Sequence, residues 1–318
     1  MLNQIKLNVS HAPFWHDGGA ISTRSVHTIL AALIAVIPGF IRYGMTAVGV
    51  ISLAIASAII WEILMNLAMK RPISTDDGTA ALTGLLLGML LPATAPWWVV
   101  VTGAFLAIVI GKQIYGGIGG NPFNPTLIGA AILMVAWEHY FDIDEALLNY
   151  EFNFPMLYPI AALKHFGVSV VDKYSTMDLL LGKQLGGVGS SCGILLILGG
   201  LYLIIRGFIR WEISCAFILG IMVTAYLFNM ANPEKYAGPV FHLLTGYTLI
   251  GAFFLAPEDS SSPVNFIPMI LYGLGCGMMT ILIRNIGQYA DGVVFAILLM
   301  NLVNPLIDKI RPKALGKV

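Results

Sequence analysis

Few residues of this 318-residue chain carry polar chemistry, and the densest group sits in an unexpected place. Asn121 and Asn124 lie within "YGGIGGNPFNPTLIGA" (115–130), a knot of glycine, asparagine and proline between apolar runs. Proline and glycine free backbone N–H and C=O groups that cannot face lipid, so such a stretch must be buried in protein or line a cavity. It reads as a broken helix or re-entrant turn in the interior, with the two amides as donors and acceptors. The other reading is a plain loop between two spans. A phosphate loop is excluded, because there is no G-x-G-x-x-G and no preceding strand.

Ionisable residues inside apolar runs are costly and functional by default. Glu62, in "IIWEILMNLAMK", lies near a helix end, where it can snorkel or act. Asp76 and Asp77 precede Gly78 and read as caps of the helix that follows. Glu258-Asp259 and Asp291-Gly292 border apolar runs. His27 and His242 fall on apolar faces and read as satisfied packing residues. Cys192, Cys215 and Cys276 stand apart, with neither disulfide nor metal spacing. Nothing resembles a nucleophilic triad, a zinc helix or a chain of proton-carrying carboxylates, so no catalytic or metal-ligating residue is assigned. The hydrophilic stretch 138–183 carries His139, Asp142, Asp144, Glu145, Glu151, Lys164, Lys173 and Asp178; its length marks it as functional.

The elements that must position these groups are membrane helices. The chain is 58% hydrophobic and 11% charged, against about 25% charged for a soluble domain. Its net charge of zero removes a nucleic-acid partner. The polar start "MLNQIKLNVSHAPFWHDGG" lacks a signal-peptide core. Charged residues are absent from 25–41, 43–61, 78–111, 113–137, 184–205, 213–233, 236–257, 260–283 and 292–307. Pro92 and Pro96 split 78–111 in two, which predicts ten spans and both termini on one side. Lys6, Arg24, Lys70, Arg71, Lys112, Arg206, Arg210, Lys309, Arg311, Lys313 and Lys317 fall on that side; Arg42, Lys235 and Arg284 lie in short loops opposite. The bias predicts cytoplasmic termini.

The predicted fold class is thus an all-α integral membrane protein of ten transmembrane helices. It divides into a cytoplasmic segment 1–24, helices over 25–137, an outer-face segment 138–190, helices over 191–308, and a cytoplasmic tail 309–318. Two halves of five spans are related by inversion if they are homologous. "LTGLLLGMLLPATAP" from Leu82 has an echo in "LTGYTLIGAFFLAPEDSSSP" from Leu244, as does "GKQIYGG" in "NIGQYADGV". Such inverted repeats build midplane sites. A solute transporter, a channel and a membrane subunit of a redox machine all fit.

Four long blocks, in order, carry a resemblance that decides among these: "DDGTAALTGLLLGMLLPATAPWW", "YGGIGGNPFNPTLIG", "DLLLGKQLGGVGSSCGILLILGGLYLI" and "YADGVVFAILLMNLVNPLID". The chain resembles the D subunits of Rnf complexes, the ion-translocating ferredoxin:NAD oxidoreductases. Their cousins are the B subunits of sodium-translocating NADH:quinone reductases. The resemblance implies a flavin-bearing (FMN or riboflavin) electron-transfer subunit of a translocase in the inner (cell) membrane, not catalytic alone. Its partners would be Rnf subunits of the A, B, C, E and G types and, indirectly, ferredoxin and NAD. The competing class is a stand-alone solute channel or transporter with an inverted-repeat fold.

In the family, FMN is linked through its phosphate to a threonine within a pattern close to S/T-x-A-T-P-L-A-x-L-K. The matching stretch here is "LYPIAALK", with Tyr158 at the threonine position. The only threonine in 138–183 is Thr176, in "YSTMDLLLG". "GSSC" (189–192) and "APED" (256–259) also depart from the family's usual G-E-T-S and A-T-D-P. The expectation is a flavin without covalent attachment at Tyr158, with Thr176 as an alternative acceptor and Asn121 and Asn124 toward a flavin cavity.

Overall fold

The structure, a computed structural model, describes residues 20–141 and 158–310. Regular structure among them is all helical. The chain opens with α1 (Ile21–Tyr43) and α2 (Met45–Ala68), joined at Gly44, whose φ of 64° makes the reversal in one residue. Then come α3 (Thr79–Leu90) and α4 (Trp97–Phe105), the latter widening into a π-helical turn at Leu106–Ile110. Extended backbone at Leu91 and Pro96 separates them, as the prolines dictate. The short helix α5 (Pro125–Ala136) ends this half.

After the segment 142–157, which lies outside the described residues, two short helices follow: α6 (Pro159–Phe166) and α7 (Thr176–Leu180). The second set of apolar helices is α8 (Gly193–Ile205), α9 (Trp211–Ala231), the broken pair α10 (Pro239–Leu244) and α11 (Thr248–Ile250), α12 (Phe266–Ile286) and α13 (Val293–Ile307). A second π-helical turn, Gly251–Leu255, prolongs α11. Five stretches are long and apolar enough to cross a bilayer: Ile21–Tyr43, Met45–Ala68, Trp97–Tyr115, Trp211–Ala231 and Phe266–Ile286. α3, α5, α8 and α13 are shorter apolar helices. Ile37, Leu64, Leu198, Leu219 and Leu227 are exposed along these helices, a surface suited to lipid rather than water.

Packing relies on close backbone approach. α9 and α12 make the most extensive helix contact. A Cβ at Gly277 would collide with the Phe217 carbonyl, and one at Gly220 with that of Leu274. Small residues allow such approach, and tight van der Waals packing is what drives helix association in lipid.

The predicted windows differ from these helices in three places, one of them the break of window 236–257 into α10 and α11 at Gly246, whose φ is 67°. Window 113–137 holds a single α-helix, α5, because Gly116, Gly117 and Gly119 take φ of 111°, 99° and 79°. The glycine half of the opening motif is a largely exposed loop, whereas Asn121 and Asn124 turn inward and are buried. Window 184–205 likewise becomes helical only at Gly193. Residues 184–192 are irregular yet buried, pinned where the amides of Val188 and Gly189 donate to the carbonyls of Leu91 and Met89, at 3.0 and 3.1 Å. Part of the outer-face segment predicted over 138–190 is therefore interior backbone, bonded to the end of α3.

Candidate functional site

Polar side chains gather at the two ends of the helices. α1 touches both: Arg24, at its start, pairs with Asp259, and Arg42, near its end, donates to the Gln184 carbonyl at 3.1 Å. A helix of 23 residues separates these ends by roughly 35 Å at ~1.5 Å per residue.

At the Arg42 end, the centre is the pair Arg284–Asp291. Arg284 closes α12, and Asp291 sits just before α13. The Asp291 carboxylate accepts four bonds. Oδ1 takes Arg284 Nη2 at 3.0 Å and the Val293 amide at 3.1 Å; Oδ2 takes the Tyr247 amide at 2.6 Å and the Tyr158 phenol at 3.2 Å. The guanidinium also donates to the His242 carbonyl at 2.8 Å and to Thr248 Oγ1 at 2.8 Å. These last contacts hold the break between α10 and α11. There Gly246 has φ 67°, and a Cβ on it would overlap Asp291 Oδ2, so only glycine fits against the carboxylate. A buried charge pair needs its remaining donors and acceptors satisfied to be tolerated, and the carboxylate's are.

Beside this network a cavity of about 420 Å³ opens between α6, the α9–α10 connection and the end of α12. Lys164, Lys235, His242, Arg284 and Asn285 line its polar part. Lys164 donates to the carbonyls of Gly287, Gln288 and Tyr289 at 2.5, 2.6 and 2.9 Å, tying α6 to the chain after α12. Burial lowers its ammonium's pKa below the ordinary lysine range.

At the Arg24 end, Asn124 caps α5: its Oδ1 accepts from the Thr126 amide at 3.0 Å, while Nδ2 donates to the Leu255 carbonyl at 2.9 Å. Pro125 at the first helical position completes a strong start signal. Ser260 Oγ donates to Glu258 Oε1 at 2.6 Å and lies 2.9 Å from Asn121 Oδ1. Glu258 Oε2 accepts from the Ser261 amide at 2.9 Å, and Asn304 donates to the Ser261 carbonyl at 2.8 Å. The start of α5, the loop after the Gly251–Leu255 turn and the end of α13 are thereby sewn together. Asp259 is lifted above the ordinary carboxylate range by burial, against the pull of Arg24.

A third group lies under α2. Glu62 and Lys112 form a buried ion pair at 2.9 Å, with Lys112 also donating to Thr79 Oγ1 at 2.6 Å and Ser74 to Glu62 at 2.9 Å. Glu62 does not snorkel; its side chain is 0% exposed, because its counter-ion arrives from just beyond the π-turn that follows α4.

Residues 8–316 match the NQR2, RnfD, RnfE family. The chain belongs to that family. Among its relatives, the D subunit of the Na(+)-translocating ferredoxin:NAD(+) oxidoreductase complex of Acetobacterium woodii is 34% identical over 312 residues, covering 97% of this chain and 94% of the relative. The D subunit of the proton-translocating ferredoxin:NAD(+) oxidoreductase complex of Clostridium ljungdahlii is 36% identical over 316 residues, with 96% of each covered. The D subunit of the ion-translocating oxidoreductase complex of Pectobacterium carotovorum subsp. carotovorum is 33% identical over 348 residues, with 97% and 98% covered.

In this NQR2, RnfD, RnfE family member the four sequence candidates do not converge. Asn121 and Asn124 lie at the Arg24 end, with their amides engaged by the chain's own groups. Tyr158 and Thr176 lie at the other end. Tyr158 is buried on Asp291, and Thr176 is the exposed first residue of α7. Burial, and then the negative charge of Asp291, push the Tyr158 phenol well above its ordinary pKa, so it is a poor nucleophile. His242 reads from the sequence as a satisfied packing residue. It is instead fully buried with neither ring nitrogen bonded. Gln184 carries no sequence signal at all, yet its amide nitrogen Nε2 donates to the carbonyls of Leu244 and Ser191, at 2.7 and 3.1 Å, with that of Leu179 at 3.3 Å.

Proposed function

We infer that this chain is the D-type subunit of an ion-translocating ferredoxin:NAD(+) oxidoreductase complex, passing electrons within the membrane to and from sister subunits. The observation that carries this is end-to-end correspondence at 33–36% identity with subunits so named, each covered over 94–98% of its length. Those relatives are named for sodium ions, protons or ions generally, so no coupling ion is assigned. Affinity purification of the tagged chain from its native membrane tests the reading. Co-purification with sister subunits as a yellow assembly supports it; a colourless homo-oligomer that conducts a solute overturns it in favour of a transporter.

The proposed cofactor is a flavin held without a covalent bond at Tyr158. Support comes from the phenol's burial and its bond to Asp291, which leave it no access to a flavin phosphate. Thr176, exposed at a helix start, keeps its place as the alternative acceptor. Asn121 and Asn124 stay candidates for the flavin's ribityl chain, at the cost of exchanging the internal bonds they make.

The proposed architecture is ten spans with both termini cytoplasmic, in two inverted halves. Two cross-half contacts support it: α1 packs on α8, and α5 on α13. Each pair joins equivalent members of the halves, as a twofold axis in the membrane plane requires.

A further inference from the structure

The start of α1, the end of α8 and the short link to α9 build a basic, aromatic corner at the Arg24 end. α1 and α8 approach closely there: a Cβ on Gly199 would press on the Ala31 carbonyl, at 3.1 Å. One turn nearer Arg24, the approach brings His27 against Tyr202, with Nδ1 2.5 Å from the phenol oxygen. The link, residues 206–210, turns at Gly207, whose φ is 72°. It lays Phe208 on the His27 ring, stacked with centroids 4.9 Å apart. The Arg206 guanidinium lies 5.7 Å from the same Phe208 centroid, within cation–π range. His27, Tyr202 and Arg206 thus share one small patch, held together by rings rather than by counter-ions.

Charge at this corner is positive and incompletely matched. Arg24 pairs with Asp259, and Arg210 is close enough to pull on the same carboxylate. One carboxylate therefore serves two guanidiniums. Among the described residues, neither Arg206 nor Arg210 belongs to an ion pair, and both are exposed. Glu212, in the first turn of α9, pairs with neither and has one carboxylate oxygen buried without a partner. An exposed guanidinium offers a planar fork of donors suited to phosphate oxygens. What adjoins the patch fixes the class of ligand. Ile205, next to Arg206, is 82% exposed, and Trp211, next to Arg210, is 52% exposed. Leu198 and Leu201 continue the exposed apolar face along α8, and Leu30 does so one turn from His27 on α1. In a membrane protein this is surface for acyl chains, and tyrosine and tryptophan at its edge mark the headgroup level. Inorganic phosphate would engage the arginines and leave that surface idle; a phospholipid engages both.

We propose that the α1–α8 corner binds an anionic phospholipid. Arg206 and Arg210 draw its headgroup to the patch of His27 and Tyr202, and its acyl chains run along Leu198, Ile205 and Leu30. Basic pockets between transmembrane helices hold anionic headgroups in this way. A zwitterionic phospholipid carries the same phosphate but adds an ammonium group that the arginines repel, so the site selects net negative charge. It rests only on the chain being a membrane protein, and on neither a flavin nor a coupling ion.

The test uses the full chain, purified with whatever assembles with it, in phosphatidylcholine nanodiscs doped with photoactivatable phosphatidylglycerol. After irradiation and digestion, mass spectrometry locates the crosslinked lipid. The expected result is labelling of peptides from 21–31 and 198–212. At sub-saturating lipid, Arg206→Gln and Arg210→Gln should each label about fivefold less and the double variant about 25-fold less, the scale of basic residues at a membrane surface. Both side chains are exposed, so assembly, read by size exclusion, should be unchanged. Arg206→Lys with Arg210→Lys keeps the charge and should keep most of the labelling; a loss as deep as in the double glutamine variant overturns the charge-based site. Unchanged labelling in the double glutamine variant overturns it too, as does equal labelling by photoactivatable phosphatidylcholine. Displacement by inorganic phosphate assigns the corner to a free anion and overturns the lipid. A sister subunit crosslinked to 198–212 in place of lipid makes the surface a subunit interface, with the same consequence.

Discussion

Arg284 and Asp291, seven positions apart and on either side of the loop between α12 and α13, meet at 3.0 Å with both side chains buried. Between them they bond the Tyr247 and Val293 amides, the Tyr158 phenol and the His242 carbonyl. One ion pair thus fixes α6, the α10–α11 break and the start of α13 together. Removing one member leaves the other charged and buried, which typically costs about 3–5 kcal/mol. Arg284→Gln and Asp291→Asn should each markedly lower the thermal unfolding midpoint in detergent, and the double variant should lose less than the two combined. Additive losses would show that the two side chains are not coupled.

Gly246 should be irreplaceable in a way that Gly116 is not. Both have positive φ, 67° and 111°, so alanine at either brings backbone strain of ~1–3 kcal/mol. Only at Gly246 does the added carbon also strike the Asp291 carboxylate; at Gly116 it meets open space. Gly246→Ala should therefore destabilise clearly more than Gly116→Ala, as read from the two midpoints. Equal effects would mean that backbone strain alone matters at Gly246.

The Glu62–Lys112 pair invites the same logic under α2. Glu62→Gln or Lys112→Met alone strands a buried charge, while the double change removes both. Expression and thermal stability of the double variant should exceed those of Lys112→Met. A double variant as poor as the single would argue against ion pairing as the reason for their burial.

Much of this fold can be read from the chain. The proline pair Pro92 and Pro96 marks the α3–α4 break, and Asn124-Pro125 marks the start of α5, because both signals are local. Asp77 is legible in part: its Oδ1 takes the amide of Thr79, the first residue of α3, at 2.7 Å, although the N-cap position itself is Gly78. The burial of Glu62 is not legible, because its partner lies 50 residues away and no local pattern announces such a pairing. The π-helical turns are equally silent, since "LAIVI" and "GAFFL" are ordinary apolar runs. Of the site, Tyr158 stands out by its family position, but its bond to Asp291 spans 133 residues. His242 carries no signal beyond an apolar neighbourhood.

Covalent flavin should be absent at Tyr158. The denatured chain on a gel should show no flavin fluorescence under ultraviolet light, and Tyr158→Phe should leave that unchanged. A fluorescent band abolished by Thr176→Ala would move attachment to Thr176; one abolished by Tyr158→Phe would contradict the reading of the phenol as inert.

Orientation can be checked with single cysteines in a background lacking Cys192, Cys215 and Cys276. Lys173→Cys and Lys309→Cys lie at exposed positions on opposite faces of the proposed topology. An impermeant thiol reagent added to intact cells should label position 173 and spare 309. The reverse pattern would invert the topology.

The most direct measurement of the central claim is ferredoxin-dependent NAD+ reduction by membranes from cells whose copy of this chain has been deleted. The expected result is loss of the activity together with its coupled ion gradient, and return of both when the chain is supplied again. Undiminished activity in the deletion membranes would contradict the assignment of this chain to an ion-translocating oxidoreductase.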